Sequence, residues 1–354
     1  MIPPRIMRRL VMVPLLLVVT AAVVVTLPLL ALVAAVASPL LPGRWRALRL
    51  LVFALVWLAL ESATLFACLA LWVASGFGGR IRLASFQERH YAVMRWFLAT
   101  VYKAATRAFR LTVEIDEPEL TPEEAAARLT RPVIVLSRHA GPGDSFLLVH
   151  HLLSRYRRRP RIVMKAALQL DPGLDVMINR LPHAFVSPRR GPGSGVIDEI
   201  VRLATDLGPT GALVIFPEGG NFTERRRLRA IARLEERRLP EQATRARGMG
   251  HLLAPRSGGA IAAITAAPTA DVIFVAHTGL DDLVTVGDIW RSLPMEKTLR
   301  AGWWRVVAAD VPREREAQVR WLYDWWERID AWIGERRTPA PRPEPTAPPT
   351  ALTD

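Results

Sequence analysis

The chain has 354 residues, enough for one large or two ordinary domains, and carries 47 basic against 33 acidic residues for a formal charge of +14. So basic a chain calls for an anionic partner, a nucleic acid or a membrane surface. The single cysteine, Cys68, excludes an internal disulfide framework and a cysteine metal site.

The N-terminal segments favour the membrane. Residues 10–38 hold no charge, and residues 50–79 hold only Glu61. Each run exceeds the roughly 20 residues needed to cross hydrocarbon. A signal peptide begins the same way, behind the basic MIPPRIMRR, but its apolar core is only about 7–15 residues and no second run follows it. Pro14, Pro28 and Pro39 should kink or end a helix, so a hairpin dipping into one leaflet competes with two true spans. Arginines flank both runs: Arg5, Arg8 and Arg9, then Arg44, Arg46 and Arg49, then Arg80 and Arg82. With two spans, the middle cluster opposes the orientation that the outer clusters favour. A re-entrant hairpin keeps all three on one side. Glu61 is costly in lipid and should meet a protein partner or snorkel.

Residues 83–111 read as a helix rich in aromatics and arginine, and residues 118–129 as a short acidic helix or loop. Short β-branched runs then alternate with amphipathic stretches. The runs are 132–137 (PVIVLS), 161–164 (RIVM), 184–187 (AFVS), 212–216 (ALVIF) and 271–276 (DVIFVA); the helices are 144–157, 196–207 and 225–238. This alternation predicts an α/β fold with a mostly parallel sheet flanked by helices. Residues 314–333, with four tryptophans, read as an amphipathic helix whose plainest use is core packing. The proline-rich residues 336–354 read as a disordered tail. The expected division is membrane segments over 1–82, an α/β domain over 83–335, and the tail.

Two loops carry the chemistry. SRHAGPGDSF places His139 and Asp144 just past the first of these strands, where open α/β sheets hold their ligands. Imidazole can take a proton from a hydroxyl, and a carboxylate on its far nitrogen fixes the tautomer and supports the imidazolium. Asp144 also stands where a helix N-cap belongs. The second loop, FPEGGN, follows the 212–216 strand. Pro217 stops the ladder, and Gly219 and Gly220 expose backbone N–H groups suited to an anion. Glu218 falls at the same sheet edge as His139.

In these motifs the chain resembles the glycerolipid acyltransferases, which acylate glycerol phosphate and lysophospholipids. His139 and Asp144 match the family's H-x4-D signature, and residues 216–219 match its F-P-E-G block. Residues 185–190 are similar to its F-(I/V)-x-R block, with Arg189 one place late. Residues 251–256 are similar to a later P-R segment, and residues 271–278 stand in place of the final apolar block. Where the family often has an arginine after F-P-E-G-T, this chain has Asn221 and Phe222, so one phosphate cation is missing; Arg225, Arg226 or Arg256 are the substitutes.

The resemblance implies a membrane-bound O-acyltransferase with His139 and Asp144 catalytic. Glu218, Gly219, Gly220, Lys165, Arg189 and Arg256 would bind substrate, with no metal and no cofactor beyond the acyl donor. Donor and acceptor would be acyl-CoA, or acyl carrier protein, and a lysophospholipid such as lysophosphatidic acid. The expected place is the cell inner membrane, with the catalytic part on the cytoplasmic face and basic runs at 155–161 and 223–238 turned toward anionic headgroups. A glycolipid or other non-phosphate acceptor is the alternative, as is an inactive, membrane-anchored lipid-binding protein of the same fold. Other chemistries lack their signatures: no groove-reading motif or zinc knuckle for nucleic acid, no H-E-x-x-H, no G-x-S-x-G.

Overall fold

The computed structural model describes residues 3–337 except 42, 44, 120, 124–129, 142, 187–194 and 284–285. Two long helices open the chain, α1 (Arg5–Ala37) and α2 (Arg46–Ala74), followed by α3 (Ala84–Phe109). The α/β part then runs β1 (Thr112–Asp116), β2 (Val133–Ser137), α4 (Asp144–Ser154), β3 (Arg159–Lys165), α5 (Pro172–Ile178), β4 (Ala184–Val186), α6 (Val196–Ala204) and β5 (Gly211–Ile215). It continues with α7 (Glu224–Glu236), α8 (Pro240–Gly248), α9 (Ser257–Ala266), β6 (Asp271–Thr278), α10 (Val286–Arg291), β7 (Thr298–Val306) and α11 (Arg315–Arg336).

The seven strands form one sheet in the order β1-β7-β6-β2-β5-β3-β4. The five strands from β6 to β4 are parallel; β7 pairs antiparallel with β6, and β1 lies parallel to β7. β2 and β5 are buried at every residue, as central strands covered on both faces must be. Their alternate side chains feed two cores. Ile134, Leu136, Leu213 and Ile215 pack on one face with α7, α9 and α11. Val133, Val135, Ala212 and Val214 pack on the other with α2, α3, α4 and α5. The tryptophan-rich α11 is a core helix: Trp325 stacks on Phe274 with centroids 4.6 Å apart, and Trp326 is fully buried.

Helices α1 and α2 are each long and apolar enough to cross a membrane. Pro14 and Pro28 lie inside α1, which runs unbroken through both, so neither ends the helix as the sequence allowed. Long apolar helices tolerate such prolines where neighbouring helices pack against them, and Pro39 falls just past the end of α1. α2 lies along the α/β part from end to end. At its start Arg46 donates to the Leu293 and Arg291 carbonyls at 3.1 Å, and Arg49 to the Ala108 carbonyl at 3.1 Å. Midway, the Trp57 ring lies 5.9 Å from Phe146, and the Glu61 carboxylate accepts the Gly173 N–H at 2.9 Å. Further on, Arg180 donates to the Cys68 carbonyl at 2.5 Å. Glu61 thus finds a protein partner rather than lipid. α1 packs on α2, and its Arg8 and Arg9 both pair with buried Asp175 of α5.

The strands and helices expected from periodicity are all present, with ends shifted by a few residues. Residues 120 and 124–129 of the expected 118–129 element and residues 338–354 of the tail lie outside the described residues, while Arg336, expected in the tail, closes α11.

Candidate active site

β2 ends at Ser137, and the next two residues build the site from opposite sides of the loop. His139 Nδ1 lies 3.0 Å and 3.1 Å from the two Asp144 oxygens. The Asp144 carboxylate also accepts the N–H groups of Ala140 at 2.8 Å, Gly141 at 3.1 Å and Ser145 at 2.6 Å. Every neighbour of the carboxylate is therefore a donor. Burial alone would raise its pKa, but the His139 hydrogen bond, the nearby His277 ring and the Gly141 N–H together hold it below the usual carboxylate range. An ionised Asp144 takes the Nδ1 hydrogen and leaves His139 Nε2 as the free basic nitrogen.

Asp144 is not the N-cap that the sequence led one to expect. Gly143, at φ +95°, caps α4, and Asp144 is its first residue. A positive φ there is what the Gly-Pro-Gly run supplies: it turns the chain back so that the carboxylate reaches the preceding loop.

Glu218 is 2 % exposed and holds two loops together. Its Oε1 accepts the His139 N–H at 2.9 Å and its Oε2 the Leu253 N–H at 3.1 Å. Burial pushes its carboxyl up to about 8, against the pull of those two N–H groups and Arg138. Phe222 N–H donates to the His139 carbonyl at 3.1 Å, and the Phe216 ring lies 4.8 Å from the imidazole. The F-P-E-G-G turn is thus docked directly on the His139 loop.

The two glycines differ. Gly219 N–H is already spent on the Phe216 carbonyl at 3.0 Å, so it is closed to an oxyanion or phosphate. No partner occupies the Gly220 N–H among the described residues. Gly219 sits at φ +69°, and a methyl group added there would come 2.9 Å from the Arg256 guanidinium carbon. The same addition at Gly220 would come 3.2 Å from Arg226 Nη1. Two guanidiniums therefore cover the turn; the Arg256 backbone N–H donates to the Pro217 carbonyl at 2.9 Å, and its guanidinium has no acceptor among the described residues. Lys165 is exposed at the carboxyl end of β3, along the sheet edge from His139. Arg189 lies outside the described residues.

Three buried polar residues beneath the loop were not anticipated. Arg138, 1 % exposed, donates to the carbonyls of His277 at 2.5 Å and His251 at 3.2 Å, and pairs with Asp281. Burial would raise Asp281, but Arg138, the Thr278 hydroxyl and the Gly279 N–H bring it down to about 2. His277 Nε2 lies 3.1 Å from the Arg138 carbonyl and 3.7 Å from Asp144. Burial lowers its pKa, so a neutral ring donates to that carbonyl. The available signal was Arg138 itself, a charge at the end of an otherwise apolar strand.

A narrow apolar cleft begins beside this pair. Asp144 and His277 line one end; Leu148, Val135 and Ile273 line its length between α4 and the sheet. Tyr156 and Arg158 stand at the far end, near the amino edge of the strands. No group of residues suited to hold a metal ion occurs among the described residues.

No curated protein and no solved structure matches the chain. A family model described as Acyltransferase matches residues 112–279, a span that begins with β1 and holds the His139 loop, the Glu218 turn and all of β6. Residues 112–279 are thus similar to an acyltransferase-family domain, and two long apolar helices lie ahead of the matched span.

Proposed function

We propose that this protein is a membrane-bound O-acyltransferase that moves a fatty acyl group from a thioester to the free hydroxyl of a lysophospholipid. The observation that carries the reading is the bonded His139–Asp144 pair, whose Asp144 also lines one end of an apolar cleft. A base for a hydroxyl and a slot for an alkyl chain are the two things acyl transfer to an alcohol requires.

In this mechanism His139 Nε2 removes the hydroxyl proton as the oxygen attacks the thioester carbonyl carbon. Asp144, ionised and bonded to Nδ1, stabilises the imidazolium. The Gly220 N–H is the group left to meet the developing oxyanion. Collapse of the tetrahedral intermediate breaks the C–S bond, and the His139 proton passes to the leaving thiolate. Glu218 does no proton transfer; it fixes the His139 loop to the Leu253 segment. Arg256, unpaired over Gly219, is the cation for the acceptor phosphate in place of the arginine missing after F-P-E-G, with Lys165 and Arg189 as outer contacts. That substitution favours a phosphate-bearing acceptor over a glycolipid. The fully bonded pair speaks against an inactive relative.

The division into membrane segments over 1–82, an α/β part over 83–335 and a tail belongs to the same proposal. α2 is about 43 Å long at 1.5 Å per residue. Because both of its ends and its middle touch the α/β part, a bilayer-crossing α2 would drag that part into the hydrocarbon. The hairpin therefore lies in one leaflet, its exposed α1 face in lipid and the site at the cytoplasmic surface, where lysolipids are presented.

The test is transfer of labelled acyl chains from acyl-CoA or acyl carrier protein, in vesicles, to a panel of glycerol phosphate, lysophospholipids and glycolipids. Esterification of a phosphate-bearing lysolipid supports the proposal. Esterification of a glycolipid alone overturns the acceptor assignment, and no transfer from either donor overturns the activity.

A further inference from the structure

The residues from Thr223 to Arg238 hold seven arginines, and three of them share one line. Positions 226, 230, 233 and 237 recur at helical spacing, so Arg226, Arg233 and Arg237 form a stripe along α7 with small, buried Ala230 between them. Arg256 faces this stripe from the start of α9. Arg256 and Arg226 overhang the adjacent Gly219 and Gly220, and burial, then the charges of Arg233 and Arg237, lower the Arg256 pKa. Glu224 is taken by Arg227, and Glu235 by Arg247. Glu236, exposed, adjoins the outer end of the stripe, and no acidic residue stands between Arg226 and Arg233. Arginines that outnumber the carboxylates beside them repel, and an anion between them relieves that cost.

The stripe starts at the reaction centre and leads away from it. Phe222 N–H is bonded to the His139 carbonyl, and Thr223 caps α7 by accepting the Arg226 N–H at 3.3 Å. From Arg226 to Arg237 the helix advances about 16 Å. A glycerol phosphate whose hydroxyl is at His139 cannot also reach the far end.

The face matters as much as the charge. α7 packs through Ala230 and Ile231 on the core of Ile134 and Leu213. The apolar hairpin and the cleft are on the opposite face, with Val133 and Val135. A basic helix meant for headgroups would share the hairpin's face. This one turns to water.

We propose that Arg226, Arg233 and Arg237 hold the phosphates at the nucleotide end of an acyl-coenzyme A donor, while Arg256, over Gly219 at the inner end, stays with the acceptor. The proposal rests on the acyl-transfer reading and names its donor. The pyrophosphate and ribose phosphate of coenzyme A carry about four negative charges near neutral pH. They are joined to the thioester by an arm of roughly 16 Å, judged from its bond lengths. An elongated donor with anions at its far end fits a stripe that begins at the site and runs outward. Donor and lipid acceptor then approach His139 from opposite faces of the sheet, one from water and one from the leaflet.

The test uses the full-length protein in lipid nanodiscs and coenzyme A itself, which binds without reacting. Titration calorimetry of wild type against the Arg233→Ala/Arg237→Ala double variant should show at least tenfold weaker binding in the variant. The Lys/Lys variant should recover part of the loss, which a collapsed helix would not. In turnover, the variant's deficit should appear in the KM for acyl-CoA and shrink as phosphates are removed, through 3′-dephospho-coenzyme A to an N-acetylcysteamine thioester. Equal coenzyme A affinity in wild type and variant overturns the proposal. So does a loss confined to the KM for lysolipid, to sedimentation with anionic vesicles, or to an acyl carrier protein donor. Coenzyme A held by the stripe without any acyl transfer would leave this site standing and refute the proposed reaction instead.

Discussion

Replacing Asp144 by Asn keeps the shape of the side chain and removes its charge and one acceptor. All five of its hydrogen-bond neighbours are donors: His139 Nδ1, the N–H groups of Ala140, Gly141 and Ser145, and the more distant Ser145 hydroxyl. An amide has one oxygen to offer. Turned toward Ala140 and Gly141, it sets its NH2 against the Ser145 N–H; turned the other way, it forfeits two bonds instead of one. The better orientation still loses one hydrogen bond to a charged acceptor, worth about 1.5–3 kcal/mol. A buried N–H left unsatisfied raises the cost to about 2–4 kcal/mol. The chemical cost is larger. Without the carboxylate the imidazolium is unsupported and the wrong tautomer competes, which removes on the order of 10^4 in kcat, or about 5.5 kcal/mol. Stability also changes its pH response. The lowered carboxyl of Asp144 adds stability that is present above the ordinary aspartate range and lost as pH falls through its folded value, so the variant should lack that acid limb. Thermal melts from pH 7 down to pH 2, beside single-turnover acyl transfer, measure both effects. A folded variant with kcat within tenfold of wild type would refute the assignment of Asp144.

The pH dependence of stability should show a second component, from His183. Its Nδ1 accepts the Ile162 N–H at 3.0 Å, and burial lowers its pKa to about 3. The unfolded chain takes up a proton below about pH 6.5 that the fold refuses, so stability falls with pH, by about 2 kcal/mol from this residue at pH 5; in a His183→Gln variant, chemical denaturation should lose that slope. Gly219→Ala forces a side chain into the left-handed region, costing about 1–2 kcal/mol, and pushes Arg256 aside. Its KM for a phosphate-bearing acceptor should rise several-fold; an unchanged KM would remove Arg256 from the acceptor site. Asp175→Ala leaves Arg8 without its buried partner and should cost about 3 kcal/mol, read as earlier trypsin cleavage near Arg8 and Arg9 in detergent. Equal cleavage would mean that α1 is not latched to α5.

Much of this was legible in the residues because local signals and the fold agreed. The five parallel strands are short β-branched runs between turn residues, and the spacing of His139 and Asp144 follows from one loop. β1 and β7 were missed. TVEID is a short, half-exposed edge strand, and TLRAGWWRV, paired on both sides, mixes glycine and charge with tryptophan instead of forming a β-branched run. Distant contacts were also out of reach. Nothing local marks Arg138, His277 and Asp281 as one network, since 143 residues separate the first from the last in the numbering and only the sheet order joins them. Gly219 was read as an anion donor from composition, but its N–H closes its own turn. The same holds for α7: its charge was plain, while its side of the sheet was set by Ala230 and Ile231 packing beneath it.

The most direct test of the account is the His139→Ala variant in vesicles, with labelled acyl-CoA and the lysolipid the wild type accepts, scored by release of free thiol and formation of acylated lipid together. The account predicts a folded variant with the wild-type melting profile, unchanged vesicle binding and loss of both products. Acylated lipid formed at the wild-type rate would show that the proton is taken elsewhere, and the mechanism built on the pair would fall.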